Sequence, residues 1–195
     1  MKRRLYFFYC FISMLVITPS TMAQQLIYET FNACELPADW NVNITGNQNG
    51  FWNVGTSDNP EIWSNTIDGS CLFYFDDNAT NTAGNLGAWQ AELISPTIDA
   101  TTANSEEIVL LEVDLHFAPG GGSTLTVSVF DGNVYQDVAV FDDDNYTGWG
   151  FVQHERLSID VTAYANANMN VKFTYDDNAS IWALWAAIDD FEVSK

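Results

Sequence analysis

The sequence predicts an all-β sandwich, and three observations predict it. Apolar and polar residues alternate over short runs, clusters of Asn, Asp and Gly separate those runs, and no apolar stripe at helical spacing lasts beyond two turns. Val109, Leu111, Val113, Leu115 and Phe117 alternate with Leu110, Glu112, Asp114 and His116, which predicts a strand with a core face and a solvent-facing polar side. Leu125, Val127 and Val129 alternate with Thr126 and Ser128, and Gly120-Gly121-Gly122 just before them predicts a flexible hairpin loop. No helix follows those glycines, so they are not a phosphate cradle. Phe130-Asp131-Gly132-Asn133 carries the Asp-Gly hairpin signal and returns the chain into a strand ending at Phe141. Val171, Phe173 and Tyr175 alternate again, and residues 188–193 supply a closing strand.

Two stretches a hundred residues apart nearly coincide: FYFDDNAT at 73–80 and FTYDDNAS at 173–180. Each leads to a Trp-x-Ala, at Trp89 and at Trp185. The repeat predicts two similarly built hairpins, each a strand, an acidic exit and a returning strand, with Phe73 and Phe75 matching Phe173 and Tyr175 on the core side. Carboxylates and Asn end strands well because they accept from nearby backbone N–H groups. Plain turn chemistry is one account of the acids of both exits, and cation binding is the other.

A basic start (Lys2, Arg3, Arg4), an apolar run and the small-residue stretch Thr21-Met22-Ala23 read as a signal peptide over 1–23. The exported part, 24–195, is a single domain without linker composition. All 26 acids lie in it, against Arg156, Lys172 and Lys195 as its bases. So acidic a surface excludes nucleic acid and anionic lipid as partners, because the cations that neutralise phosphate are missing. No membrane insertion is expected after the signal is removed. Cys34 and Cys71 are the cysteines that remain, and in an exported protein one pair predicts a disulfide contributing about 3–4 kcal/mol. A free, buried pair is the alternative.

The order of short motifs resembles the MAM-like jelly-roll group, and within it the choice-of-anchor J domains and gingipain-type cleaved adhesin domains of bacterial surface proteins. Glu29-Thr30-Phe31 with Leu36-Pro37-Ala38-Asp39-Trp40 is similar to the opening acidic-Phe strand and Leu-Pro-x-x-Trp of that family. AELISPTID at 91–99, LSIDVTAYANANMNVKFTY at 157–175 and WAAIDDFEV at 185–193 are similar to its later segments, in the same order. Asn32 departs from the second acid the family commonly places after the Phe. The resemblance implies a jelly-roll β-sandwich of two antiparallel sheets, and a secreted or cell-surface bacterial protein whose partner is an extracellular glycan or a surface protein.

The resemblance also implies structural calcium (Ca2+), held where the first and last strands meet, with Glu29 and Asp189 or Asp190 as ligands. The Asp76–Asp77 and Asp176–Asp177 pairs of the two repeats are further candidates, since calcium takes six to eight oxygens. Regular strand alternation would aim Asp189 and Asp190 at opposite faces, so one of the two would need a partner inside or at the rim.

No catalytic residues are assigned. The competing enzyme reading rests on Glu112, Asp114 and His116, which resemble the Glu-x-Asp-x-Glu strand of family-16 jelly-roll glycoside hydrolases, with His116 in place of the acid/base carboxyl. A self-associating matrix component is the other alternative. The chain contains seven tryptophans; Trp40, Trp89 and Trp185 stand at strand positions and are expected in the core. Trp52, Trp63, Trp149 and Trp182 sit beside Gly, Asn or Ser and are candidates for stacking on a sugar ring.

Overall fold

The computed structural model describes residues 23–46, 52–55, 72–76, 89–102, 105–142, 153–178 and 185–195. Nearly all of the expected signal peptide, together with Trp63, Cys71, Asp77, Trp149 and Trp182, lies outside the described residues. The described chain is an all-β jelly-roll sandwich of two antiparallel sheets, with one 3-10 turn at Thr162–Tyr164. One sheet orders its strands β3 (Asn53–Gly55), β4 (Leu72–Asp76), β11 (Trp185–Ser194), β6 (Leu110–Ala118) and β9 (Gln153–Asp160). Its sixth strand, β1 (Gln25–Glu29), pairs with the second half of β11, while β4 pairs with the first half. The other sheet runs β2 (Asn41–Gly46), β5 (Trp89–Ile94), β10 (Val171–Asp176), β7 (Thr124–Phe130) and β8 (Tyr135–Phe141).

The apolar halves of the alternating runs meet between the sheets. Leu111, Val113, Leu115 and Phe117 of β6 share a fully buried core with Leu125, Val127 and Val129 of β7 and with Phe173 and Tyr175 of β10. Phe117 meets Tyr175 edge to face at 6.5 Å, which ties one sheet to the other. Each such side chain contributes about 1.5–3 kcal/mol by leaving water. The family-like motifs turn out to be packing motifs. Trp40 lies edge-on to Phe31 at 5.3 Å and to Phe191 at 5.2 Å, so the opening and closing segments close one end of the core together.

The Asp-Gly hairpin forms as expected. Phe130 pairs with Tyr135, the Asp131 carboxylate accepts from the backbone N–H of Asn133 and Val134, and Gly132 takes φ 99°, which favours glycine. The three glycines at 120–122 do not form a hairpin loop within a sheet. They carry the chain from β6 in one sheet to β7 in the other.

The repeated motif is also not a pair of hairpins. β4 does not pair with β5, and β10 does not pair with β11. The partners are exchanged: β4 pairs with β11 and β10 pairs with β5. Each copy is therefore a crossover between sheets, and the two crossovers run in opposite senses side by side. Turn chemistry at the second exit is visible, since Asp176 Oδ1 accepts the backbone N–H of Asn178 at 2.8 Å and Asn178 takes φ 50°.

Candidate functional site

At the meeting of the first and last strands, the expected calcium ligands are placed as follows. Ile188 and Phe191 both belong to the core, three residues apart, which a regular strand cannot achieve. β11 solves this with a bulge: Asp189 pairs with Asp114, but Glu192 is the next to pair, with Glu112. Asp190 absorbs the extra residue at φ 44°. Alternation therefore does not send one of the two aspartates inward; both leave the core side. Asp189 Oδ1 accepts the Asp190 backbone N–H at 2.8 Å, Asp190 Oδ1 accepts from the Tyr28 hydroxyl at 2.8 Å, and Glu29 Oε1 accepts the Phe31 backbone N–H at 2.8 Å. That hydrogen bond, with the Asp190 charge and burial, raises the pKa of Tyr28 above its ordinary value. Glu29 thus steadies Phe31, which sits in the left-handed region at φ 53°.

A cation is already present beside the bulge. Arg156 Nη1 donates to the Asp190 carbonyl at 2.8 Å and lies 3.4 Å from Asp114 Oδ1. Asp114 and Asp189 are buried and directly opposite one another, so they need positive charge close by. Among the described residues, no three acids, histidines or cysteines gather in a metal-binding arrangement. Glu29, Asp189 and Asp190 therefore do not make a calcium cage on their own. Asp76 sits at the end of β4, opposite Trp185, away from the Glu29 end of β11.

The same region revises the reading of β6. Asp114 and His116 share a side of the strand with Glu112, as the alternation requires, but that side is not solvated: Asp114 is 4% exposed and His116 1%. The tryptophan assignments also divide. Trp52 is not a ligand platform; it is 2% exposed, and its indole N–H donates to the Ala91 carbonyl at 3.0 Å, satisfying the one polar group its burial would otherwise strand. Trp40 is in the core as expected, whereas Trp185 is buried on the outer side of β11, opposite in direction to the core residues Ala186 and Ile188.

The open polar surface of the described fold is the outer face of the five-stranded sheet. Strand pairing sets Asn43 opposite Glu92, Glu92 opposite Thr174, and Thr174 opposite Thr126, so polar side chains line up straight across four strands. Here they surround a shallow hollow of about 200 Å³ lined by Gln90, Glu92, Ser128, Tyr135, Asp137 and Lys172, with Thr126 and Thr174 on its floor. Lys172 Nζ donates to Glu92 Oε1 at 2.7 Å and lies 4.3 Å above the centre of the Tyr135 ring. The Ser128 hydroxyl donates to Asp137 at 2.8 Å, and the Tyr135 hydroxyl to Asn170 Oδ1 at 2.6 Å. Burial, and then the Glu92 charge, raise the Tyr135 pKa, so the phenol remains a hydrogen-bond donor at neutral pH. A second hollow of about 480 Å³, lined by residues that include Asn41, Ile94, Pro96 and Asn170, lies at the end of the same face. Glu92, Ile94, Pro96, Asn170 and Lys172 fall within the family-like segments 91–99 and 157–175, but those segments do not mark them as a site. The available signal is the alternation itself, which puts Gln90 and Glu92 on one side of β5 and Lys172, one of three lysines and arginines beyond residue 23, on the same side of β10.

Fold and surface together define a class, an antiparallel jelly-roll β-sandwich with an open polar sheet face. Solved structures share that fold. The K1 cleaved adhesin domain of Lys-gingipain from Porphyromonas gingivalis W83 superposes with a TM-score of 0.57 at 14% identity, covering 86% of this chain and 96% of that one. The K3 cleaved adhesin domain gives 0.55 at 11% identity, over 89% and 99%. The carbohydrate-binding module TmCBM61, solved with beta-1,4-galactotriose, gives 0.51 at 15% identity, over 85% and 93%. At these identities the likeness is one of fold. No family model matches the sequence, and no curated protein does.

Proposed function

We propose that this protein is an exported, non-catalytic binding module that holds a glycan on the outer face of its five-stranded sheet. The observation that carries the reading is the hollow around Tyr135, where hydroxyl, amide, carboxylate and ammonium groups are held by rigid strands beside one aromatic ring. Sugars are recognised by such groups, fixed in advance so that little side-chain freedom is lost on binding. The fold shared with a galactotriose-binding module supports the same reading. Binding on a glycan array, lost in Tyr135→Ala and in Glu92→Gln while both variants remain folded and lose no more than a few degrees of melting temperature, is the expected result. A surface protein as partner is the outcome indicated if no glycan is retained, and a concentration-dependent mass in solution would indicate self-association.

The hydrolase alternative has little geometric support. Retaining hydrolysis needs two carboxyls about 5–5.5 Å apart around an open cleft, whereas Asp114 is buried beside Arg156 and His116 is buried next to it along β6. Export through the signal peptide and a Cys34–Cys71 bridge belong to this reading as proposals; the bridge is tested by a mass shift on reduction and alkylation of the unfolded chain. Structural calcium is a further proposal, for which the described acids do not suffice by themselves. Its test is a rise of the melting temperature in millimolar calcium and a fall in chelator.

A further inference from the structure

The two hollows on the five-stranded sheet are parts of one surface. Ile94 of the larger hollow is the pairing partner of Lys172 in the smaller one, and both stand on the outer side of their strands. Asn170, which lines the larger hollow, accepts the hydroxyl of Tyr135, which lines the smaller. The boundary between them is therefore a shared row of side chains. From Gln90 to Pro96 the joined surface follows β5 for about 20 Å at roughly 3.3 Å per residue. A pyranose repeats about every 5 Å, so the surface has room for about four units, and both hollows are open to solvent rather than closed at a wall.

The charge on this surface is one-sided. Among the described residues, Lys172 is the sole base lining either hollow, while Glu92, Asp137 and Asp39 are carboxylates. Lys172 is already paired with Glu92 and lies over Tyr135. A ligand carboxylate or sulfate would meet repulsion there with no unengaged cation to answer it. The chain's net charge of −20 acts in the same direction at longer range.

We propose that this face binds the interior of an uncharged polysaccharide chain, spanning both hollows with about four sugar units at the strand rise given above. The inference rests on the glycan reading of the same face, and it adds a length dependence and a charge preference that the reading alone does not contain. Isothermal titration of the full exported chain with neutral β-1,4-linked gluco-, manno- and galacto-oligosaccharides of increasing length is the test, with oligogalacturonides as the anionic counterpart. In the neutral series that binds, affinity should rise at least tenfold from the dimer to the tetramer and level off by the hexamer. Oligogalacturonides should bind at least tenfold more weakly than neutral chains of equal length. Asn41→Ala with Thr97→Ala, two residues that line the larger hollow, should erase the gain with length. Equal affinity for dimer and hexamer, or oligogalacturonide binding as tight as neutral, overturns the inference while leaving the glycan reading in place. Neutral binding that Tyr135→Ala leaves untouched moves the site elsewhere and overturns both, as does the failure of every oligosaccharide to bind.

Discussion

The outer faces of the two sheets are built from the same alternation and end in opposite conditions. On the six-stranded sheet, Asp114, His116, Ala187 and Asp189 all lie within a few per cent of complete burial. On the five-stranded sheet, Glu92, Tyr135 and Lys172 are half-buried and Asp137 is exposed. The charge of Asp114 on the closed face is held by a partner, because a carboxylate out of water is costly alone and the Arg156 guanidinium lies 3.4 Å from it. The carboxylates of the open face keep contact with water, Glu92 in part and Asp137 freely, so rearranging them costs less than baring the buried Asp114. Polar residues on one sheet thus maintain the fold, while those on the other are available to a ligand.

Substitutions that treat the two faces alike should therefore give unequal results. The largest difference is expected from the aromatics. Trp185→Ala on the closed face leaves a cavity in place of a fully buried indole and should cost about 3–5 kcal/mol by chemical denaturation. Tyr135→Ala on the open face should cost about 1 kcal/mol and remove binding instead. Equal losses would end the distinction.

Next come the two cations. Arg156→Met leaves Asp114 and Asp189 opposed without their neighbouring charge, and the expected loss is about 2–3 kcal/mol, moderated because the guanidinium is partly open to water. Lys172→Met breaks a shorter pair, 2.7 Å against 3.4 Å, but leaves behind a Glu92 carboxylate that still reaches water, and should change stability by about 1 kcal/mol. Parallel urea melts of the two variants compare them directly.

A smaller effect concerns acid. Asp131, at the hairpin bordering the open face, has its pKa lowered by the Val134 backbone N–H, the Gln136 side chain and the Asn133 N–H; Asp160 and Asp99 are lowered by Thr162 and Thr101. A lowered folded pKa means the unfolded chain takes up protons first as pH falls. Their contribution is thus fully present above the ordinary carboxylate pKa of about 4 and is lost as pH drops from there through the folded values. Acidification also relieves the repulsion of a very acidic chain, so the informative quantity is the wild-type stability minus that of Asp131→Asn. That difference should shrink below pH 4 and be flat between pH 6 and 8. The smallest expected effect is that of calcium: with Arg156 beside the bulge, a shift of a few degrees at most should accompany millimolar calcium, and an unchanged melting temperature in calcium and in chelator would remove that ion from the account.

Much of this fold was legible in the chain because side-chain alternation with period two is a local property. The runs at 109–117, 125–129 and 171–175 needed nothing distant to be read, and Asp131-Gly132 fixed its own hairpin through φ and a carboxylate within reach of two amides. The exchange of partners between the two similar motifs was not legible, since a strand does not encode which sheet will receive it. Nor was the bulge at Asp190 read correctly, although the spacing of Ile188, Phe191 and Val193 was a signal of it. Burial of Trp52 depended on an acceptor 39 residues away, at Ala91.

The sequence by itself determined the class of fold, the core-facing half of its clearly alternating strands, the acidic surface and the Asp131-Gly132 hairpin, because each follows from neighbouring residues and their preferred geometry. Tertiary structure alone decided which polar half would be sealed and which left open. That outcome depends on what each sheet face meets in space, and the same Glu-x-Asp pattern serves either case until the sheets have closed.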